Sequence, residues 1–339
     1  MRIIGIKIKT PWEISVEELP EPQPGEGDAL IRVKSVGICG SDIGAFRGTN
    51  PLVSYPRVIG HEVTGEVVSV KDNTKGIQVG DHVIVDPYLY CGDCYPCSIG
   101  RTNCCEHLRV LGVHCDGGFA KYLAHPSDML IKVPIDMAWE VVPLAEPLTI
   151  ALHGLHRSGL AAGEHVAVSG AGPIGLLAAM AALHYGAIPI LIDPLEERLA
   201  RAKKLGVKHT VQLGKDNLMQ KIDDYTSGRL AEVVMEASGA QSAIASALDI
   251  VSYAGRVILT GWPKNETPLD TAKITKKELD VRGARTSVRE FEEAVELIYT
   301  GKVNAAAILT NVIPAGDVPD VVKDIEKNPG NYLKVNALF

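Results

Sequence analysis

The stretch Gly170-Ala-Gly-Pro-Ile-Gly175 constrains this chain more than any other. It follows a short apolar run, His165–Ser169, and opens a segment with helical spacing, Ile174–Tyr185. In that setting the first glycine allows a tight turn. The second lets a pyrophosphate approach the backbone, and the third lets helix meet strand. The start of the helix then offers free N–H groups to the phosphate charge. Further strands are predicted at Pro189–Asp193, His209–Gln212, Glu232–Glu236 and Arg256–Leu259, with helices between them at Glu196–Leu205, Asp216–Thr226 and Gln241–Val251. This alternation calls for an α/β doubly wound parallel sheet. Asp193 ends the strand after the glycine turn. A carboxylate there accepts from the ribose hydroxyls of NAD and repels the 2′-phosphate of NADP. The expected cofactor residues are Gly170, Gly172, Pro173, Ile174, Gly175 and Asp193, with Arg198 along the adenine face, where it also softens the preference against NADP, and Ser238 and Gly261.

The first hundred residues have a different character. Ala29–Val36 and Val63–Val70 alternate apolar and polar residues, Pro20–Gly25 is rich in turn residues, and helical spacing is scarce, which points to a compact β-rich domain. Within it lie Ile38-Cys-Gly-Ser-Asp42 and Gly60-His-Glu62. Catalytic zinc takes three protein ligands and keeps a fourth position for water or substrate. Cys39 and His61 suit two of those places, and Asp42 is expected to accept the other ring N–H of His61. In an extended chain His61 and Glu62 point to opposite faces, so both reach one metal only through a loop or bulge.

Cys91, Cys94, Cys97 and Cys105 follow, with Gly92 and Pro96 supplying turns between them. Four thiolates drawn together by tight turns make a closed structural zinc site. Cys104 competes with Cys105 for the fourth place, and spacing alone does not choose.

Composition narrows the possibilities. A chain of 339 residues accommodates two domains with ample core. The net charge of −7 gives no nucleic-acid footprint. The N-terminus lacks an apolar signal core, and the longest apolar run, Ala171–Leu183, contains Gly and Pro and is too short to cross a bilayer. A cytoplasmic location is expected, with no membrane partner, and seven cysteines there mean metal or thiol chemistry rather than disulfides.

Taken together, Gly37–Asp42, Gly60-His-Glu-Val-Thr-Gly65, the Cys91–Cys105 lobe, Glu146-Pro-Leu and Gly170–Gly175 resemble the zinc-dependent medium-chain dehydrogenases over essentially the whole chain. Glu146 is similar to the polyol and threonine dehydrogenase branch. Gly100–Glu106 and Leu111–Gly118 resemble bacterial L-galactonate oxidoreductase-like and RspB-like members. The resemblance implies a GroES-like catalytic domain built from residues 1–147 and 285–339 around a Rossmann NAD-binding domain at 148–284. It implies two zinc ions per chain, with Cys105 closing the structural site and Glu146 or Glu62 completing the catalytic one. It also implies a homodimer or homotetramer. One departure stands out: where many members carry a relay histidine, this chain has Gly44. The proton then leaves by water or by Glu62, with His82 and His114 as further candidates.

The implied chemistry is interconversion of a secondary alcohol of a polyol or sugar acid with its ketone. Zinc lowers the pKa of a bound hydroxyl, Ser41 takes or passes the proton, and hydride goes to NAD. Arg285, in Arg282-Gly-Ala-Arg-Thr286, is expected to meet substrate, since a guanidinium fork matches a carboxylate or vicinal hydroxyls. Phe46 is the other expected substrate contact. Threonine and sugar-alcohol phosphates are alternative substrates, and an NAD-binding sensor with little catalysis is an alternative of another class.

Overall fold

The computed structural model describes residues 2–71 and 73–339. The chain forms two compact units. One takes the chain up to Glu146 together with Ala305–Phe339, and the other takes Pro147–Asn304.

The first unit is β-rich. Its main sheet runs Leu130–Lys132, His82–Val85, Glu62–Val70, Asp28–Ile38, Lys334–Leu338, Leu309–Pro314, and Tyr122–Pro126 also pairs with Asp28–Ile38. A smaller sheet joins Glu13–Pro20, Arg2–Thr10 and Arg57–Val58. Asp28–Ile38 alternates buried and half-exposed residues along its first part and is buried without break from Ser35 to Ile38. The strand thus enters a region covered on both faces just before Cys39. The C-terminal strand lies antiparallel to it, Val335 opposite Ile38, so a residue from the far end of the chain flanks Cys39. The short helix Gly40–Arg47 follows and ends at Gly48, whose φ of 75° suits a residue without Cβ.

The second unit is a six-stranded, all-parallel sheet in the order His209–Gln212, Ile188–Asp193, His165–Ser169, Ala231–Glu236, Val251–Leu259, Asp280–Gly283. Numbered along the chain this is 3-2-1-4-5-6, the order of dinucleotide-binding folds. Its central strands are buried nearly throughout, as a sheet covered on both faces requires.

The sequence-predicted strands and helices of this unit appear within a few residues of their predicted ends, except that Val251–Leu259 begins earlier. Two elements were not predicted, the helix Thr271–Lys277 and the edge strand Asp280–Gly283. A third, the helix Val318–Lys327, was not predicted either. The chain also leaves the second unit later than Arg285. Helix Phe291–Tyr299 buries Phe291, Ala294, Val295, Leu297 and Ile298 and belongs to that unit. It is tied there by Glu290, 2.9 Å from His153, and by Glu293, which accepts from the Tyr185 hydroxyl.

Candidate active site

The first unit gathers Cys39, His61 and Glu62, with one ligand atom of each lying within 4.8 Å of the others. Adjacent residues share a face here because the chain turns before the strand starts. Gly60 has φ 97°, a conformation suited to glycine, and the strand begins only at Glu62. A side chain at Gly60 would also collide with Phe119. Gly37 has the complementary duty. A Cβ there would stand 1.8 Å from Glu62 Oε2, so the glycine makes room for the carboxylate.

Asp42 corrects one expectation. Its carboxylate accepts from the backbone N–H of Cys39 (2.8 Å) and of Gly60 (3.2 Å). It therefore clamps the two ligand-bearing segments together and does not orient His61 through the ring. His61 Nδ1 is buried with no hydrogen-bond partner among the described residues, as are Glu62 Oε2 and Ser41 Oγ. Buried polar atoms are nearly always paired, so orphans on His61 and Glu62, within the same three-residue group, mark a site for something else.

Glu146, in the first turn of Ala145–Ser158, lies outside the Cys39–His61–Glu62 group and accepts a hydrogen bond from the Tyr88 hydroxyl. Lys334 donates to Glu62 Oε1 and to the carbonyl of Ile38 (3.1 Å). Sequence reasoning missed both Tyr88 and Lys334. The available signal was a lysine opening the short terminal strand Lys334–Leu338 and a tyrosine just ahead of the cysteine lobe.

The charges show what the centre needs. Burial raises the Asp42 pKa, and burial lifts Glu146 to about 7. Burial works against charge on His61, yet Cys39, Asp42 and Glu146 hold its pKa well above the ordinary value. Lys334 is likewise raised against its burial by Glu62 and Cys39. The raised bases, His61 and Lys334, owe their shifts to acidic neighbours, and the raised acids, Asp42 and Glu146, owe theirs first to burial. A thiolate, an imidazole and a carboxylate oxygen are donor types that a divalent zinc takes.

The second cluster is local. Cys91, Cys94, Cys97 and Cys105 come together, and Cys104 stays outside in the turn Thr102–Cys104. Sulfur–sulfur distances are 3.4 Å (Cys94–Cys97), 3.5 Å (Cys91–Cys105) and 3.8 Å (Cys94–Cys105). Zinc–sulfur bonds of about 2.3 Å place tetrahedral sulfurs roughly 3.8 Å apart, so the cluster fits that ion with little adjustment. Cys105 Sγ already accepts from the N–H groups of Cys91 and His107, both at 3.3 Å. The Glu106 backbone lowers the Cys94 thiol to about 7, while Asp93 raises Cys91 to about 12.

In the second unit Gly170 (φ 102°) makes the turn after the first strand. A Cβ on Gly175 would stand 1.8 Å from the Gly170 carbonyl oxygen, so helix and strand pack backbone on backbone. A Cβ on Gly172 would meet nothing within 4 Å, which leaves open space over the turn. Helix Pro173–His184 starts there with no side-chain cap, its first N–H groups available to an anion. Pro173 and Ile174 occupy that first turn. Asp193 is buried and accepts from Ala171 N (2.7 Å) and Leu195 N (2.9 Å), with Arg198 at 3.6 Å. Ser238 lies against Gly170, and Gly261 packs on Gly239. Buried Glu236 holds both: its carboxylate accepts from the N–H groups of Ser238 (2.8 Å) and Gly239 (3.0 Å) and from the Ser238 hydroxyl, and its backbone carbonyl accepts from Gly261 N–H (2.9 Å). The glycine cradle and the uncapped helix fit a dinucleotide.

Other expected contacts fare differently. Phe46 is 2% exposed, edge-on to Trp12 with ring centroids 5.3 Å apart, and is a core residue rather than a substrate contact. Arg285 is exposed just beyond the edge strand Asp280–Gly283. His82 packs on Trp139, and His114 Nδ1 accepts from Val110 N at 3.1 Å. Neither joins the Cys39 group.

Comparison with known proteins agrees with this geometry. Residues 25–135 match the alcohol dehydrogenase GroES-like domain, and residues 173–300 match the zinc-binding dehydrogenase domain. An uncharacterized zinc-type alcohol dehydrogenase-like protein of Haemophilus influenzae is 55% identical over 100% of this chain and 99% of its own. The L-galactonate-5-dehydrogenase of Escherichia coli is 37% identical over 90% of this chain and 89% of its own. Among solved structures, rspB of Escherichia coli CFT073, complexed with NADH, superposes with a TM-score of 0.93 at 32% identity, covering 100% of this chain and 99% of that one. The chain therefore belongs to the zinc-dependent medium-chain alcohol dehydrogenase family.

Proposed function

We propose that the chain oxidises a secondary hydroxyl of a polyol or sugar acid to the ketone with NAD, and that Cys39, His61 and Glu62 hold the catalytic zinc. The observation that carries the ligand set is the coincidence of three ligand atoms within 4.8 Å with buried, unpartnered His61 Nδ1 and Glu62 Oε2. Zinc supplies a Lewis acid that lowers the pKa of a hydroxyl, and NAD supplies a hydride acceptor.

The chain's own groups do the rest. Ser41 Oγ, buried and without a partner among the described residues, is assigned to take the alcohol proton and pass it on. Glu146, held by Tyr88, is assigned as the carboxyl that accepts that proton. Gly170, Gly172 and Gly175 cradle the pyrophosphate, and Asp193 favours NAD over NADP at the ribose. The four-cysteine lobe holds a second, structural zinc. Arg285 follows a strand at the carboxyl edge of the parallel sheet, the edge from which such sheets present ligand-binding groups. It is assigned to a substrate carboxylate or to vicinal hydroxyls. The sugar-acid assignment draws on the likeness to an L-galactonate-5-dehydrogenase.

No helix among the described residues is long and apolar enough to cross a membrane, in keeping with a cytoplasmic enzyme. Self-association is assigned as a homodimer or homotetramer. The edge strand Asp280–Gly283 pairs on one side only among the described residues, which leaves an edge for a second copy.

The test is NADH formation on hexonates, polyols, their phosphates and threonine, with Cys39→Ser as the control. A sugar acid or polyol should lead the panel. Arg285→Ala should raise KM for the acid roughly 10–150-fold more than for the matching polyol, the loss of one charge-assisted hydrogen bond of ~1.5–3 kcal/mol. Activity confined to threonine, or none on any of these, would refute the reading.

A further inference from the structure

Lys334 is the least expected member of the centre. It is 4% exposed and faces Glu62, which is 1% exposed. An ammonium this deeply buried is rare and needs a partner. The sheet explains its position. Val335 stands opposite Ile38 in the antiparallel ladder, so Lys334, one residue before, comes level with Cys39. From there the ammonium reaches the carbonyl of Ile38 at 3.1 Å and Glu62 Oε1. One cation thus touches the residue before the thiolate ligand and the carboxylate beside the imidazole ligand. Asn336, next on the same face, is also fully buried, with its amide donating to the Glu140 carbonyl at 2.7 Å.

The two oxygens of Glu62 are therefore unequal. Oε1 is engaged by Lys334, whereas Oε2 is buried without a partner in the space that Gly37 leaves free. A free carboxylate chelates a metal readily through both oxygens. One whose first oxygen is held by an ammonium offers only the second. Lysine suits this duty as a compact point charge, where a planar guanidinium would compete for both oxygens.

We propose that Lys334 is a positioning residue of the catalytic centre: it holds Glu62 by Oε1, restricts it to one metal bond through Oε2, and so keeps the fourth position open to substrate. The C-terminal strand thereby completes a site whose ligands come from the first sixty-odd residues. The proposal rests on the zinc reading given above.

The test is cobalt substitution followed by visible spectroscopy, with metal retention against a chelator and steady-state kinetics alongside. In the wild type the bands should be those of a four-coordinate ion. In Lys334→Met they should weaken and shift as Glu62 becomes bidentate. Metal should be retained at least as well, and kcat should fall tenfold or more with KM for NAD unchanged. A purely structural lysine would lower stability and leave the bands of the folded protein alone, so superimposable bands would overturn the assignment. Should Lys334→Met fail to fold, Glu62→Gln is compared with Glu62→Gln/Lys334→Met, in which both buried charges are gone. A lysine that acts only through Glu62 leaves these two with the same bands and the same metal retention, and a difference between them refutes the proposal. A wild type that takes no metal beyond the four-thiolate lobe refutes the catalytic centre itself, and this assignment with it.

Discussion

The two candidate metal clusters of the first unit are built on opposite plans. The four-thiolate lobe is a single stretch, Cys91 to Cys105, closed by its own turns and partly exposed. Its supporting donors, the N–H groups of Cys91 and His107, come from the same stretch. The Cys39–His61–Glu62 centre is buried and draws Tyr88, Glu146 and Lys334 from distant parts of the chain. The difference follows from cost. A short loop closes cheaply and its thiolates can be solvated, so local spacing announces the site, although it leaves Cys104 and Cys105 to be told apart by the fold. A buried cluster of acids must find compensating charge and hydrogen bonds wherever the fold supplies them. The lobe is thus suited to holding structure, and the centre to chemistry that needs an open, dry coordination position.

If that contrast is right, the clusters fail in different ways. The largest effect should come from Cys39→Ser: NADH formation falling at least ~10³-fold, roughly 4 kcal/mol in the barrier, with the melting temperature within a few degrees of wild type. A large drop in melting temperature instead would make the centre structural and erase the contrast. Cys94→Ser should do the reverse in order of cause. It loses the lobe's metal and about 3–5 kcal/mol of stability in denaturant unfolding, the range for destroying a cross-linking site, and activity follows only as the fold is lost.

Burial elsewhere in the first unit has a pH signature. His125 is fully buried, with its Nε2–H donating to the Asp86 carbonyl at 2.9 Å, and burial lowers its pKa from 6.5 to about 4. The unfolded chain takes up a proton below about pH 6.5 that the folded chain refuses until about pH 4. Stability is therefore full above that window and falls as pH drops through it, by about 3 kcal/mol in all. His125→Gln keeps a donor to Asp86 and should flatten the acid limb of denaturant-unfolding stability. An unchanged slope would show that groups other than this histidine govern acid lability.

The dinucleotide turn, another site written in one stretch, should give the smallest effect. Asp193→Ala should narrow the NAD over NADP preference roughly 10–100-fold in kcat/KM, about 1.5–3 kcal/mol. A wild type with no preference would show that Arg198, 3.6 Å from Asp193, offsets the carboxylate.

The same contrast explains what was legible in the sequence. The parallel sheet was readable because fully buried strands and glycine turns leave local traces, and the cysteine lobe was readable by spacing. Helix Val318–Lys327 was not. Val318, Val321, Val322 and Ile325 have helical spacing but are β-branched, so composition argued for strand while periodicity argued for helix. Phe46 was expected at the substrate, but its side chain is buried on the core face of Gly40–Arg47. Cys39, His61 and Glu62 were legible as residue types. Tyr88 and Lys334 were not, because nothing local to them names their partners; only the register of the C-terminal strand puts a lysine level with Cys39.

The most direct test of two distinct metal sites is elemental zinc per chain in protein purified without chelators, wild type beside Cys39→Ser. Two zinc ions in the wild type and one in a folded, inactive Cys39→Ser are expected. Equal zinc in the two proteins, or none in the wild type, would contradict the division between a structural lobe and a catalytic centre.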